Sequence, residues 1–380
     1  MFNFKDPLWA STTFGVFLCT QCASIHRQLT VSISRVKSLK LDNLEQSHVA
    51  VMEENGNKVA KDKYEKFVPP YYRRPKHDDV QVLKEQWIRA KYERREFMQP
   101  ASACYAQNVM EGTLMKRGKK DGKFYPRLFV LSQAEGTLKY YVNENKNPKT
   151  VINVEYLNAT FCDKVMNPNG LQLTYLKDGY TRSIFVYTEK GKDIVDWYTA
   201  IRAARLARLQ VAFPTKKIEE LVPFLTRDFI MEGELHKTGP RVGDTYKKRW
   251  FILDDRKLMY MEHPLDPYPK GEIFLGEKYQ GYSVKPGIPP ALKEYKFGFT
   301  LITPERTWLI GAETEEIREN WINAINSVIE KQPQPQDYSE SWKNDLRNSY
   351  SYKKSRNSDR NSGSSFSGTL RKGKNFFSFA

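Results

Sequence analysis

Cys19 and Cys22 are separated by two residues, and His26-Arg27 follows them closely. Two thiols at this spacing are half of a tetrahedral zinc site or a redox pair. Thioredoxin-like chemistry would surround the pair with a βαβ pattern, which is not evident here. Trp9-Ala-Ser-Thr-Thr-Phe-Gly-Val-Phe-Leu18 instead reads as a strand entering a knuckle, with a helix leaving it. The remaining cysteines, Cys104 and Cys162, have no sequence partner, and four cysteines in 380 residues are too few for a disulfide framework. The second chemical theme is positive charge. Lys116-Arg-Gly-Lys-Lys-Asp-Gly-Lys123 and Tyr246-Lys-Lys-Arg-Trp250 are dense in it, and 61 Lys+Arg against 45 Asp+Glu leave the chain at +16. Anionic partners are expected, and a cytosolic setting.

An internal repeat supplies the elements that must position these residues. Met110-Glu-Gly-Thr-Leu-Met-Lys-Arg-Gly118 is echoed by Met231-Glu-Gly-Glu-Leu-His-Lys-Thr-Gly239, a spacing of 231 − 110 = 121 residues. Arg127-Leu-Phe-Val-Leu131 then matches Arg249-Trp-Phe-Ile-Leu253, Leu138-Lys-Tyr-Tyr141 matches Leu258-Met-Tyr-Met261, and Pro148-Lys149 matches Pro269-Lys270. So long a period means tandem domains rather than a solenoid. Short runs rich in Val, Ile, Phe and Tyr, broken by Gly, Asn, Asp and Pro, predict hairpins. Each copy closes on an amphipathic helix whose Trp197 and Ile201, or Trp321 and Ile325, would plug an antiparallel barrel or sandwich. The fold class expected is α+β and multidomain. Apolar residues at 40% and charged ones at 28% fit globular structure. No apolar run is long enough to span a bilayer, and the first residues do not read as a secretory leader.

Both copies resemble pleckstrin-homology (PH) domains through the Glu-Gly-x-Leu strand, the Arg-x-Phe-x-Leu strand and the tryptophan helix. The resemblance implies inositol-phosphate binding at Lys237, Lys247, Arg249, Tyr260 and Lys270 in the second copy. It implies the same at Lys116, Arg127, Tyr140 and Lys149 in the first, where Tyr125 replaces a basic residue of the family pattern. The chemistry suits the residue types, because Arg grips a phosphate through two parallel hydrogen bonds while Lys supplies mobile point charge.

The knuckle with Arg27, Arg35-Val-Lys-Ser-Leu-Lys-Leu-Asp42, Gly56-Asn57 and Phe67-Val-Pro-Pro-Tyr-Tyr72 resembles the zinc-finger GTPase-activating domain of Arf small GTPases. A charged amphipathic helix is expected to follow over 78–98. In this order with two PH domains, the chain resembles the centaurin-alpha family of Arf GAPs. The resemblance implies that Arg27 is the arginine delivered in trans to a partner's GTP, and that Cys19 and Cys22 are zinc ligands. The family pattern Cys-x2-Cys-x16-Cys-x2-Cys would place its first pair at and before position 19 − 17 = 2, which is Phe2. The expectation is therefore a truncated finger with an incomplete zinc site.

The domains expected are 1–100, a GAP domain lacking its first cysteine pair, then PH copies at 109–212 and 229–332. A basic, serine-rich disordered tail is expected at 333–380. From Gln334 to Ala380 there are nine Lys+Arg against four Asp+Glu. The expected function is a phosphoinositide-recruited activator of an Arf-family GTPase, monomeric, cytoplasmic and recruited to the plasma membrane by PtdIns(3,4,5)P3 or PtdIns(4,5)P2. The alternative is a PH-domain adaptor without catalysis. No nucleic-acid module is apparent. Gly-x-Ser-x-Gly, a glycine-rich phosphate loop and His-Glu-x-x-His are absent, so a self-contained hydrolase has no support.

Overall fold

In the computed structural model, which describes residues 7–100, 103–143, 146–241, 243–290, 292 and 294–332, the knuckle sits on a three-stranded sheet. Strand β1 (Trp9–Ser11) pairs antiparallel with β2 (Val16–Leu18) and β3 (Val36–Ser38). Helix α1 (Thr20–Gln28) starts at Cys19, whose sulfur accepts the Cys22 N–H and so caps the first turn. Helices α2 (Gln46–Glu54) and α3 (Gly56–Tyr64) follow. Gly15, in the β1–β2 turn, has φ +64°, and a Cβ there would lie 2.4 Å from the Val51 carbonyl of α2. A side chain at that position is excluded both by backbone and by space.

The helix expected over 78–98 is shorter and changes pitch. Helix α4 (Gln81–Ile88) runs into a π-turn at Arg89–Glu93, and Arg95 then adopts a left-handed φ of 55°. The wide turn lets two consecutive residues point inward. Lys91 reaches the buried Glu65 at 2.8 Å, while Tyr92 packs among Phe14, Tyr64 and His26. The charged helix is thus partly an interior element, and Lys84 is buried as well.

The two repeats form two seven-stranded antiparallel sheets with the same topology. The first comprises β4 (Val109–Arg117), β5 (Phe124–Ser132), β6 (Thr137–Tyr141), β7 (Thr150–Asn153), β8 (Leu157–Phe161), β9 (Gly170–Lys177) and β10 (Tyr180–Tyr187), followed by α5 (Gly191–Ala212). After a short α6 (Ile218–Leu221), the second comprises β11 (Met231–Lys237), β12 (Lys247–Leu253), β13 (Lys257–Met261), β14 (Gly271–Phe274), β15 (Ser283–Pro286), β16 (Gly298–Ile302) and β17 (Thr307–Gly311), closed by α7 (Glu315–Ile329). The Glu-Gly-x-Leu glycine now has a packing reason. A Cβ at Gly112 would already touch Trp197 at 3.5 Å, and one at Gly233 would lie 3.9 Å from Trp321. Both indoles are buried.

Each sheet is joined to itself by only two paired positions. Lys116 and Met115 face Val186 and Tyr187, and Lys237 and His236 face Ile310 and Gly311. Beyond these pairs the first and last strands part, in the second sheet after one further bond from the Thr238 N–H to the Leu309 carbonyl at 3.3 Å.

Helix α5 departs most from expectation. Instead of one apolar stripe it is buried almost all round from Ile194 to Ala204, because a second layer covers its outer face. Arg202 donates through Nε to the Tyr71 carbonyl at 2.7 Å, Arg73 donates to the Tyr198 hydroxyl at 3.1 Å, and Arg73 also pairs with Asp228 at 2.7 Å. The buried Asp196 accepts from the Cys104 thiol and from Lys192. The amino-terminal region and the first PH sheet accordingly share one continuous core, while the second has its own. Among the described residues no helix is long and apolar enough to cross a membrane. The basic tail falls on residues 333–380, outside the described ones.

Candidate functional site

Arg27 occupies the last turn of α1, and its guanidinium lies 4.0 Å from the centroid of the Trp9 ring on β1. The side chain is exposed, whereas the preceding His26 is fully buried. His26 Nδ1 is 2.8 Å from the Ser34 hydroxyl, which lies 2.8 Å from that of Ser11. Burial, with Lys91 nearby, pushes the imidazole down to about 3, so it is neutral at physiological pH. His26 therefore anchors α1 to the sheet and to the following loop and takes no part in proton transfer. Its neighbour emerges as a fork of donors braced on an indole, a geometry that can grip phosphoryl oxygens.

Beneath it, Cys22 is buried and Cys19 half-buried. Burial and the adjacent Cys19 push the Cys22 thiol up to about 12. A closed structural zinc site takes four ligands. The described residues contain no group of three or more His, Cys, Asp or Glu side chains able to hold a metal. The donor set present supplies two thiols and does not fit the complete site, so no chemistry is assigned to zinc here.

In the second PH copy the structure assembles a cationic pocket where β11 and β17 part. Lys237 Nζ lies 4.6 Å from the Tyr260 ring and 5.6 Å from that of Trp308, and it donates to the Thr238 carbonyl at 2.7 Å. Arg249 and Lys247 stand on the adjacent β12, Lys247 directly opposite Lys237. Burial pushes the Lys237 ammonium down to about 8, with Arg306, Arg249 and Lys247 adding repulsion that Asp244 only partly offsets. Such a cluster is costly alone and is relieved by an anion. Lys270 donates its backbone N–H to the Tyr260 carbonyl at 2.8 Å, and its exposed side chain is paired with Glu262. Glu262 is held below the usual carboxylate range chiefly by Lys270.

Arg306 and Trp308 escaped the reading from sequence. Arg306 lies 3.6 Å from the Trp308 centroid, near the start of β17 and beside Lys237. The signal was in the repeat. Arg182 occupies the same place in the first copy, four residues before Val186 (186 − 182 = 4), as Arg306 is four before Ile310 (310 − 306 = 4).

The first pocket repeats the plan. Lys116 Nζ lies 5.1 Å from the Tyr140 ring and donates to the Arg117 carbonyl at 3.0 Å. Burial and Arg127 push its ammonium down. Arg127 stacks 5.4 Å from Tyr125, the residue that replaces a basic one, and Tyr125 is tied by its hydroxyl to Asp121. The Lys149 N–H donates to the Tyr140 carbonyl at 2.9 Å, while its side chain is exposed.

These features define an Arf-GAP-type domain followed by two PH domains. Residues 3–101 match the family described as "Putative GTPase activating protein for Arf", and residues 108–205 and 229–330 match the PH domain. Human Arf-GAP with dual PH domain-containing protein 2 is 46% identical over 330 residues, covering 85% of this chain and 86% of that protein. The chain belongs to the family of Arf GAPs with dual PH domains. Mouse stromal membrane-associated protein 1 is 43% identical over 93 residues, covering 24% of this chain and 20% of its own. The C-terminal PH domain of pleckstrin, solved with D-myo-Ins(1,2,3,4,5)P5, is 28% identical, covering 27% of this chain and 100% of its own with a TM-score of 0.22.

Proposed function

We propose that this protein is recruited to membranes by phosphoinositides and there stimulates GTP hydrolysis by an Arf-family GTPase, itself contributing no nucleotide site. The observation that carries the reading is Arg27, exposed and braced on Trp9 at 4.0 Å, in the same chain as the Lys237–Arg249–Arg306 pocket. Arg27 is the group delivered in trans. As the γ-phosphoryl group separates, its guanidinium meets charge building on the transferring oxygens, while the partner holds GTP and orients the attacking water. Trp9 limits the rotamers of Arg27 and lowers the entropy lost on docking. Lys237, Lys247, Arg249, Tyr260, Lys270 and Arg306 bind a polyphosphorylated headgroup, PtdIns(3,4,5)P3 or PtdIns(4,5)P2. Lys116, Arg127, Tyr140 and Lys149 form a second site. Recruitment to the plasma membrane and a monomeric state belong to this reading, as do the boundaries 1–100, 109–212, 229–332 and 333–380.

A second reading, a lipid-binding adaptor without catalysis, is favoured by the knuckle's donor set of two thiols. Single-turnover GTP hydrolysis by an Arf protein on vesicles containing 5% PtdIns(4,5)P2 separates the two, using an illustrative composition of about that fraction. Stimulation that Arg27→Ala abolishes, with vesicle binding intact, supports the first reading. Vesicle binding with no stimulation by the unaltered chain supports the adaptor and sinks the first.

A further inference from the structure

The two pockets share a plan but differ at the mouth. In the second PH domain Arg306, just before β17, rests on Trp308 of that strand. In the first, the equivalent Arg182 lies 5.3 Å from the ring of Tyr268, which comes from the β13–β14 loop of the second PH domain. The same ring holds Lys119 of the basic β4–β5 loop at 4.5 Å. Tyr268 thus meets two cations of the first PH domain, one from the β4–β5 loop and one from β10. Its neighbours fix it there. The Ser183 N–H, on the edge of β10 left free where β10 parts from β4, donates to the Pro267 carbonyl at 3.0 Å. Arg117 Nη1 donates to the Leu265 carbonyl at 2.9 Å, and Leu265 packs against the buried cluster of Cys162, Val165 and Phe185 in the first PH domain. Further along, both oxygens of the Glu272 carboxylate accept from Thr181, through its N–H and its hydroxyl, each at 3.0 Å. Nearby, Tyr175 is pushed up to about 12 by burial, with Tyr140, Arg182 and Tyr268 among its neighbours. Arg182 pairs through Nη2 with Asp178 at 3.7 Å, while its Nε is buried with no hydrogen-bond partner among the described residues.

We infer that the Leu265–Tyr268 segment of the second PH domain is an intramolecular lid on the first PH pocket, in which Tyr268 takes the place of a headgroup phosphate between Lys119 and Arg182. The inference rests on reading both pockets as phosphate sites. A ring offers these cations only the weak negative face of its π-system, whereas a phosphate offers full charge and acceptor oxygens. The lid therefore weakens the first site without abolishing it, and the second pocket is the site that binds first. The lid loop also carries Lys270 of the second pocket, so the effect of the lid is read cleanly only when the second pocket is silenced.

The test uses the full chain and soluble inositol 1,3,4,5-tetrakisphosphate, measured by titration calorimetry. Arg249→Ala silences the second pocket and exposes the first. Adding Tyr268→Ala should tighten the remaining binding about tenfold, equivalent to ~1.4 kcal/mol. Adding Tyr268→Phe, which keeps the ring, should leave it unchanged. Adding Arg182→Ala to the Arg249→Ala, Tyr268→Ala protein should remove the gain, which assigns it to the first pocket. Tyr268 is 38% exposed, so its truncation leaves the domain cores intact. Equal or weaker binding in the Tyr268→Ala protein overturns the lid. If Arg249→Ala and Arg127→Ala, singly and together, leave the binding of the unaltered chain unchanged, the pockets are not phosphate sites, and the underlying reading falls, taking the lid with it.

Discussion

Lys237 gives the most quantitative handle on the second pocket. Its ammonium titrates at about 8 in the free protein, below the ordinary 10.5, because burial and three neighbouring cations oppose its charge. The charge of a bound phosphate outweighs both burial and repulsion and returns the pKa toward 10.5 or above. Binding is then linked to proton uptake once the pH exceeds 8. With a pKa of 8 the free lysine is protonated at about ten parts in eleven at pH 7 and about one in eleven at pH 9, so affinity should fall about tenfold between them. The side chain is little more than half-buried, and solvent screening reduces this to roughly three- to tenfold. The stability of the free protein runs the opposite way. A lysine whose folded pKa is depressed opposes folding while charged, so stability rises as the pH passes through 8 toward 10.5. Headgroup phosphates also titrate, so Lys237→Arg serves as the reference, since arginine keeps its charge throughout this range. The assay is headgroup affinity from pH 7 to 9 at constant ionic strength. The two proteins should diverge above pH 8, the unaltered chain losing affinity relative to Lys237→Arg. Superimposable profiles would refute the argument that Lys237 is both desolvated and phosphate-facing.

Three further outcomes follow from the same geometry. Arg306→Ala should weaken vesicle binding about tenfold, as expected for losing one charge-assisted phosphate contact, whereas Lys270→Ala should cost less because Lys270 must first leave Glu262; equal losses at the two positions would remove Arg306 from the pocket. Trp9→Ala should lower the rate of stimulated GTP hydrolysis roughly fivefold, the worth of one cation–π contact of ~1 kcal/mol, with Trp9→Phe recovering part of it and lipid affinity unmoved; an unchanged rate would show that the indole does not position Arg27. Glu65→Gln, which strands Lys91 in a site where both side chains are almost wholly buried, should destabilise the protein by ~3–5 kcal/mol in chemical denaturation. Burial pushes Glu65 up, but Lys91 and Arg74 more than reverse it and hold it below its ordinary range. Its stabilisation is therefore complete above the unfolded carboxylate pKa and lost as the pH falls through the lower folded value. A pH-independent stability difference between Glu65→Gln and the unaltered chain across the acid range would contradict that assignment.

Much of the local architecture was legible because it depends on near neighbours along the chain. Alternating apolar runs and turn residues specify hairpins, and Cys19 opening α1 follows from the strand–knuckle–helix pattern. The repeat alone placed Trp197 and Trp321 in cores, where the glycine of each opening strand leaves room for the indole. Lys237, Lys247 and Arg249 were named by the resemblance to PH domains, and the β-hairpin register carries them to one end of the sheet. What the sequence could not supply depends on surfaces meeting across long separations. Lys91 and Lys84 read as solvated charges on an amphipathic helix, and only the π-turn together with Glu65, 26 residues away in the chain, makes Lys91 an interior ion pair. Arg306 became a pocket residue only when β17 came to lie beside β11. Helix α5 appeared to have a single buried face until Tyr71, Arg73 and Thr226 covered the other. Two PH domains that repeat the same landmarks in sequence are unequal in space, because Tyr268 of one stands at the mouth of the other. Periodicity encodes which side of an element is apolar; which distant element arrives to cover it, and with what charge, is decided by packing.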